Sequence, residues 1–188
     1  SELRQFEPRM TIAVLPNFKA IPEIDGTRAE TFVLYDFSQR LAIIGGTRHA
    51  EEIKKAVFTV MSYAMPLRRV LPMRCAATVG ANGDTVLLFG TNGAGKTTLA
   101  SDPARLLVGD DAHGWSDDGI FAFEQGSYAK AYNITPDADL SIYTASRMFG
   151  TVLENVKFDT TTRQPLYTDA SITDNARIAY TNEAVSHL

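Results

Sequence analysis

Eight consecutive residues, Gly90-Thr91-Asn92-Gly93-Ala94-Gly95-Lys96-Thr97, follow the spacing G-x-x-x-x-G-K-[ST] of a phosphate-binding loop. The glycines at 93 and 95 let the backbone take positive φ, so several N–H groups can converge on one anion. Lys96 is then placed to reach the β and γ phosphates of a polyphosphate, and the Thr97 hydroxyl to serve the magnesium that travels with them. A turn that only imitates the spacing is the alternative. Against it stand the flanks: the apolar run Thr85–Phe89 is of strand type, and Thr97-Thr98-Leu99-Ala100 can open a helix whose N-terminus adds partial positive charge.

A second set of residues follows one element later. Arg105-Leu-Leu-Val-Gly-Asp-Asp111 reads as an apolar strand ending in two acids, where enzymes with such a loop hold a further metal-binding group. Asp110 and Asp111 are candidates for it, although adjacent acids also suit a plain turn. Lys55 falls off the apolar stripe of its helix, where a lysine is ordinarily solvated. His113, Trp115 and His187 say little alone, since single residues of these types are more often packed or solvated than ligating.

The elements that must position these groups can be read in order. Thr11–Leu15 is a strand ended by Pro16-Asn17, and residues 30–37 and 41–44 read as a hairpin. Ile53, Val57, Val60, Met61 and Ala64 recur at helical spacing, predicting a helix over 50–65 with Thr47 as N-cap, Glu51 and Glu52 complementing its dipole and Pro66 ending it. Residues 75–79 and 85–89 form a second hairpin through Asn82-Gly83 and deliver the loop. The helix after Lys96 is short because Asp102-Pro103 breaks it. Residues 119–123, 128–134 and 151–158 are strand-like, Thr135-Pro136-Asp137 opens a helix running towards Arg147, and 172–180 reads as irregular or short strand.

The chain's 188 residues, 45% of them hydrophobic, suit one domain with a real core. A net charge of −4 supplies no basic field for nucleic acid or an anionic membrane. The single cysteine, Cys75, excludes an internal disulfide and a cysteine-built zinc site and suits a reducing compartment, the cytoplasm. No apolar run reaches membrane-spanning length.

The ordered motifs Pro16-Asn-Phe-Lys-Ala20, Asp25-Gly-Thr27, Glu30-Thr-Phe32, Lys54-Lys55, Phe58-Thr-Val-Met61, Leu71-Pro-Met73, the loop, Gly109-Asp-Asp111, His113-Gly-Trp115 and Tyr128-Ala-Lys130 resemble the middle of an ATP-dependent phosphoenolpyruvate carboxykinase. That family turns oxaloacetate and ATP into phosphoenolpyruvate, carbon dioxide and ADP, with magnesium on the nucleotide and a second metal such as manganese. The resemblance implies an α/β fold with a mixed sheet around a P-loop. By position it implies ATP contacts from residues 90–98 (Gly90 to Thr98), Asp139 and Arg177. Thr97 would bind magnesium, Asp110 would order a water on it, and a neutral Lys55 with Asp111 would ligate the second metal. His49, Lys55 and Arg74 fall at substrate positions. Departures cluster there: Arg74 replaces a metal-binding histidine, His49 a tyrosine, Asn92 a serine and Ala112 a glutamate. A guanidinium has no lone pair for a metal, which makes Mn2+ binding doubtful. The expected arrangement is one domain over 1–188, without the family's amino-terminal oxaloacetate-binding and carboxy-terminal adenine-binding regions. Two readings follow: an ATP-dependent carboxykinase with a modified second-metal site, or a degenerate, non-catalytic homologue that binds nucleotide or another anion. A kinase on the same core would need an acceptor site, for which no residues stand out.

Overall fold

The computed structural model describes residues 7–91, 94–100, 102 and 104–181. It divides into two compact units, Ser1–Tyr63 and Ala64–Leu188.

In the first unit, β1 (Thr11–Leu15) runs parallel to β3 (Leu41–Gly45), and β2 (Phe32–Asp36) pairs with the other edge of β3 antiparallel. Ala42 and Ile44 alternate on β3 and are buried, as a central strand's period of two requires. The β2–β3 turn is tied by Asp36, which accepts hydrogen bonds from the backbone N–H of Ser38 and of Gln39, both at 2.9 Å. A single helical turn, α1 (Pro22–Asp25), begins on a proline and stops at Gly26, whose φ of +69° is left-handed. The long helix α2 (Glu51–Ala64) follows the apolar stripe and ends before Pro66. Thr47 does not cap it: its hydroxyl accepts from the His49 N–H at 3.2 Å, a local turn two residues ahead of the helix.

Among its described residues the second unit holds three small three-stranded sheets and one two-stranded one. One has the order β6-β5-β7, formed by β5 (Ala76–Val79), β6 (Thr85–Leu88) and β7 (Leu106–Gly109). The Asn82-Gly83 turn closes its hairpin, with Gly83 at φ +79°. Arg105 pins that hairpin to the start of β7, donating to Asp84 Oδ2 at 2.8 Å and to Thr78 Oγ1 at 2.9 Å. The guanidinium holds the Asp84 carboxyl below its ordinary range. Contrary to the expected mixed sheet, both ladders here are antiparallel, and among the described residues the only parallel ladder is β1 with β3. The short helix α3 (Lys96–Ala100) follows β6 and the loop.

A second sheet, β4-β8-β9, joins β4 (Leu71–Met73), β8 (His113–Ser116) and β9 (Gly119–Ala122). In the third, β14 (Arg177–Thr181) lies between β10 (Gly126–Lys130) and β11 (Val152–Glu154), and Ile178, Ala176 and Ala131 form its buried core. Residues 172–180, read as irregular or short strand, do end in a short strand, and it is the central one of its sheet. The run 151–158 is two strands: Asn155 at φ +56° breaks it, and β12 (Lys157–Phe158) pairs instead with β13 (Pro165–Leu166). The helix expected from Thr135 starts later, as α4 (Leu140–Ala145), because Thr135 closes only one turn before Asp139 caps the helix proper.

Candidate functional site

Two neighbouring stretches change sheets at the same place. Between β4 and β5 lie Arg74 and Cys75, and between β7 and β8 lie Asp110, Asp111 and Ala112. Met73 pairs with His113 on one side of the crossing and Ala77 with Gly109 on the other. Ala112 takes φ +56°, a left-handed turn that costs an alanine about 1 kcal/mol and swings the chain from one sheet to the next. The floor is small and buried: Cys75, Ala76 and Ala77 have no exposed surface.

Above this floor Arg74 and Asp111 face each other. The guanidinium donates from Nε to Asp111 Oδ1 at 3.2 Å and from Nη2 to Oδ2 at 2.5 Å, so both carboxylate oxygens are engaged. The two side chains retain 48% and 23% of their exposure, so solvent screens the pair only in part. Asp110, beside it, is half-buried. Asp111 and Arg74 are therefore brought together, as an ion pair rather than as two ligands around a cation.

His113, to which the sequence alone assigns no role, stands beside this pair. It is fully buried, and its Nδ1 donates to the Cys75 carbonyl at 2.8 Å, with the Cys75 sulfur 3.9 Å from the same nitrogen. Burial pushes its pKa below the ordinary histidine value, outweighing the Cys75 carbonyl and the charges of Asp111, Glu124 and Asp110, which favour the proton. The neutral ring thus carries its hydrogen on Nδ1. Burial also pushes the Cys75 thiol up, with the Asp111 charge acting the same way.

The glycine-rich stretch lies between β6 and α3. Lys96 curls back over it, its Nζ donating to the carbonyls of Gly90 at 2.8 Å and Thr91 at 3.0 Å. Gly95 has φ +84°, and a side chain on Gly90 would come within 3.0 Å of Ala94 Cβ. Asn92 and Gly93, and the side chains of Thr97 and Thr98, lie outside the described residues.

The remaining sequence-predicted residues have local partners. Asp139, expected at the nucleotide, accepts from the Ile142 N–H at 2.9 Å and so caps α4. Arg177 opens β14, directly across from Lys130 on β10 and Glu154 on β11. In the first unit, His49 is half-buried just before α2. Lys55 donates to Glu52 Oε1 at 2.9 Å and lies 3.6 Å from Glu51 Oε1. The Glu52 hydrogen bond raises its pKa above the ordinary lysine value, more than partial burial lowers it. In this arrangement Lys55 is the cation of a pair with Glu51 and Glu52. Among the described residues no group of three histidine, cysteine, aspartate or glutamate side chains could hold a metal, and no helix is long and apolar enough to cross a membrane.

Comparison with known proteins gives one consistent family. The family model described as phosphoenolpyruvate carboxykinase matches residues 1–188. A phosphoenolpyruvate carboxykinase (ATP) of Caldanaerobacter subterraneus is 51% identical over 179 residues, covering 95% of this chain and 34% of the relative. The protein of the same name from Geobacillus kaustophilus is 48% identical over 188 residues, covering 100% of this chain and 35% of the relative. That of Deinococcus radiodurans is 47% identical over 187 residues, covering 100% of this chain and 40% of the relative. The chain therefore spans a third or somewhat more of the length of these curated relatives.

Proposed function

The chain belongs to the phosphoenolpyruvate carboxykinase family, and on that premise we propose that it binds the phosphates of ATP, with their magnesium, at Gly90–Thr97 and serves the conversion of oxaloacetate and ATP to phosphoenolpyruvate, carbon dioxide and ADP. The observation that carries this is the G-x-x-x-x-G-K-T spacing between β6 and α3, with the Lys96 ammonium lying on the carbonyls of its own loop. A phosphate would replace two neutral acceptors by charged ones, a stronger pairing for the same ammonium.

In that reaction the bond from C3 of oxaloacetate to its departing carboxylate breaks, carbon dioxide leaves, and the electron pair passes to the enolate oxygen. The enolate oxygen then takes the γ-phosphoryl group while the bridging oxygen leaves with ADP. Lys96 and Arg177 would offset charge on the transferring group, Asp110 would hold a water of the nucleotide's magnesium, and Thr97 would ligate that magnesium. A second divalent cation such as manganese does not fit the residues present. Lys55 is paired with Glu52, and both oxygens of Asp111 are taken by Arg74. The Arg74–Asp111 pair is neutral overall, so it offers a forming enolate far less than a dication does.

That same pair favours a second reading, a non-catalytic homologue that keeps nucleotide or anion binding for structure or regulation. The net charge of −4 argues against a nucleic-acid partner in either case, and the buried, lone Cys75 suits a cytoplasmic setting. Thermal denaturation with magnesium and ATP, ADP or pyrophosphate tests the binding site. Each ligand should raise the melting temperature, by about 2.7 kcal/mol of linkage at a hundred times its Kd, and Lys96→Ala should abolish the rise. No rise with any of the three overturns the phosphate site. A rise supports the phosphate site in either reading, and phosphoenolpyruvate formation beside it selects the enzyme.

A further inference from the structure

We propose that His113 is the positioning residue of the acidic crossing: its bond to the Cys75 carbonyl holds the stretch that carries Arg74 at a fixed offset from the stretch that carries Asp110 and Asp111. The inference rests on the reading that these side chains belong to the functional site. Strand pairing stops at Met73 with His113 and resumes at Ala77 with Gly109, so between these pairs no ladder fixes one stretch against the other. The imidazole occupies that gap. One end reaches the carbonyl next to Arg74 at 2.8 Å, and the other, Nε2, has no hydrogen-bond partner among the described residues and backs onto Gly109. A Cβ on Gly109 would sit 2.8 Å from Nε2 and 3.3 Å from Ala122 Cβ, so the strand backbone closes tightly on the ring. With His113 and Cys75 both fully buried, no solvent competes for the bond. The ring therefore joins position 75 to position 113, one residue from Arg74 and two from Asp111. A shift of either stretch by a fraction of an ångström would open the two-point contact between guanidinium and carboxylate.

The test reads Arg74, not His113. In the nucleotide-free chain, the Nε–H of Arg74 should give a hydrogen-exchange-protected NMR signal. His113→Asn places an amide N–H where Nδ1 stands and should leave that protection essentially unchanged. His113→Gln places its amide at the depth of Nε2, and His113→Leu has no donor. Both should speed exchange by about fivefold, what losing this partly exposed ion pair implies. Melting is recorded for each variant, because a merely structural role would lower stability without sorting Arg74 exchange by donor position. Equal protection in the Asn and Gln variants, loss in both, or unchanged protection in a folded Leu variant overturns the proposal. Should the Leu variant fail to fold, the Asn and Gln pair decides. Since no nucleotide is present, this result stands or falls separately from the Lys96→Ala test of the phosphate site.

Discussion

Replacing Arg74 with histidine should turn the crossing from a closed ion pair into a cation site. In the wild type, a divalent ion approaching Asp111 must displace a guanidinium that holds both carboxylate oxygens, at 3.2 and 2.5 Å. A fully buried pair of this kind would resist strongly, but with 48% and 23% of the side chains exposed the pair contributes about 1 kcal/mol, or roughly fivefold in affinity. The displaced guanidinium stays nearby and repels the ion, and it brings no ligand of its own. Arg74→Ala removes both the displacement and the repulsion but adds no ligand, and should raise manganese affinity by about fivefold to tenfold. Arg74→His removes the same obstacle and adds an imidazole, for a total of about tenfold to a hundredfold. Electron spin resonance of free Mn2+ separates these cases, with Asp111→Ala added to each background to show that the ion reports on this carboxylate. Tight manganese binding by the wild type, lost on Asp111→Ala and unaffected by Arg74→His, would refute the reasoning.

Two further outcomes follow from neighbouring residues. Asp139→Ala should cost about 1 kcal/mol of stability through the lost cap on α4, while Asp139→Asn keeps most of it; an unchanged melting temperature with weakened nucleotide binding would instead make Asp139 a ligand contact. His113 has its folded pKa below its unfolded value, so its contribution is present above the unfolded value of about 6.5 and is lost as pH falls through the folded one. Melting temperature should accordingly drop between pH 7 and pH 5.5 in the wild type and drop less in His113→Asn; identical slopes would contradict this.

The elements legible in the sequence are those with a local signature. The apolar stripe of α2, the Pro66 stop and the Asn82-Gly83 turn each fix structure within a few residues. The stretch holding β14 read only as irregular or short strand, and its central place was hidden because its partners, β10 and β11, lie far away in sequence and Ile178 is its only fully buried side chain. β4 escaped because Pro72 argues against a strand, yet β4 is the edge of its sheet, where a missing N–H is tolerated. At the site, the loop spacing was plain, whereas the meeting of Arg74 with Asp111 depends on two ladders that align residues 37 apart. His113 stands in the His113-Gly-Trp115 motif, but the motif assigns it no role, which only its complete burial beside that crossing suggests. The pairing of Lys55 with Glu51 and Glu52 was open to view, since the spacings of four and three residues are those of neighbours on a helix face. Family resemblance pointed instead to a neutral lysine.

Nucleotide-phosphate binding through Lys96 is tested most directly by phosphorus NMR of magnesium-ATP added to the chain. The expected result is a shift or broadening of the β and γ resonances with the wild type, and its disappearance with Lys96→Ala while melting without ligand stays unchanged, since the lysine's contacts in the free chain are with its own loop carbonyls. Unperturbed β and γ resonances with the wild type, or equal perturbation by Lys96→Ala, would contradict the assignment of Gly90–Thr97 as the phosphate site.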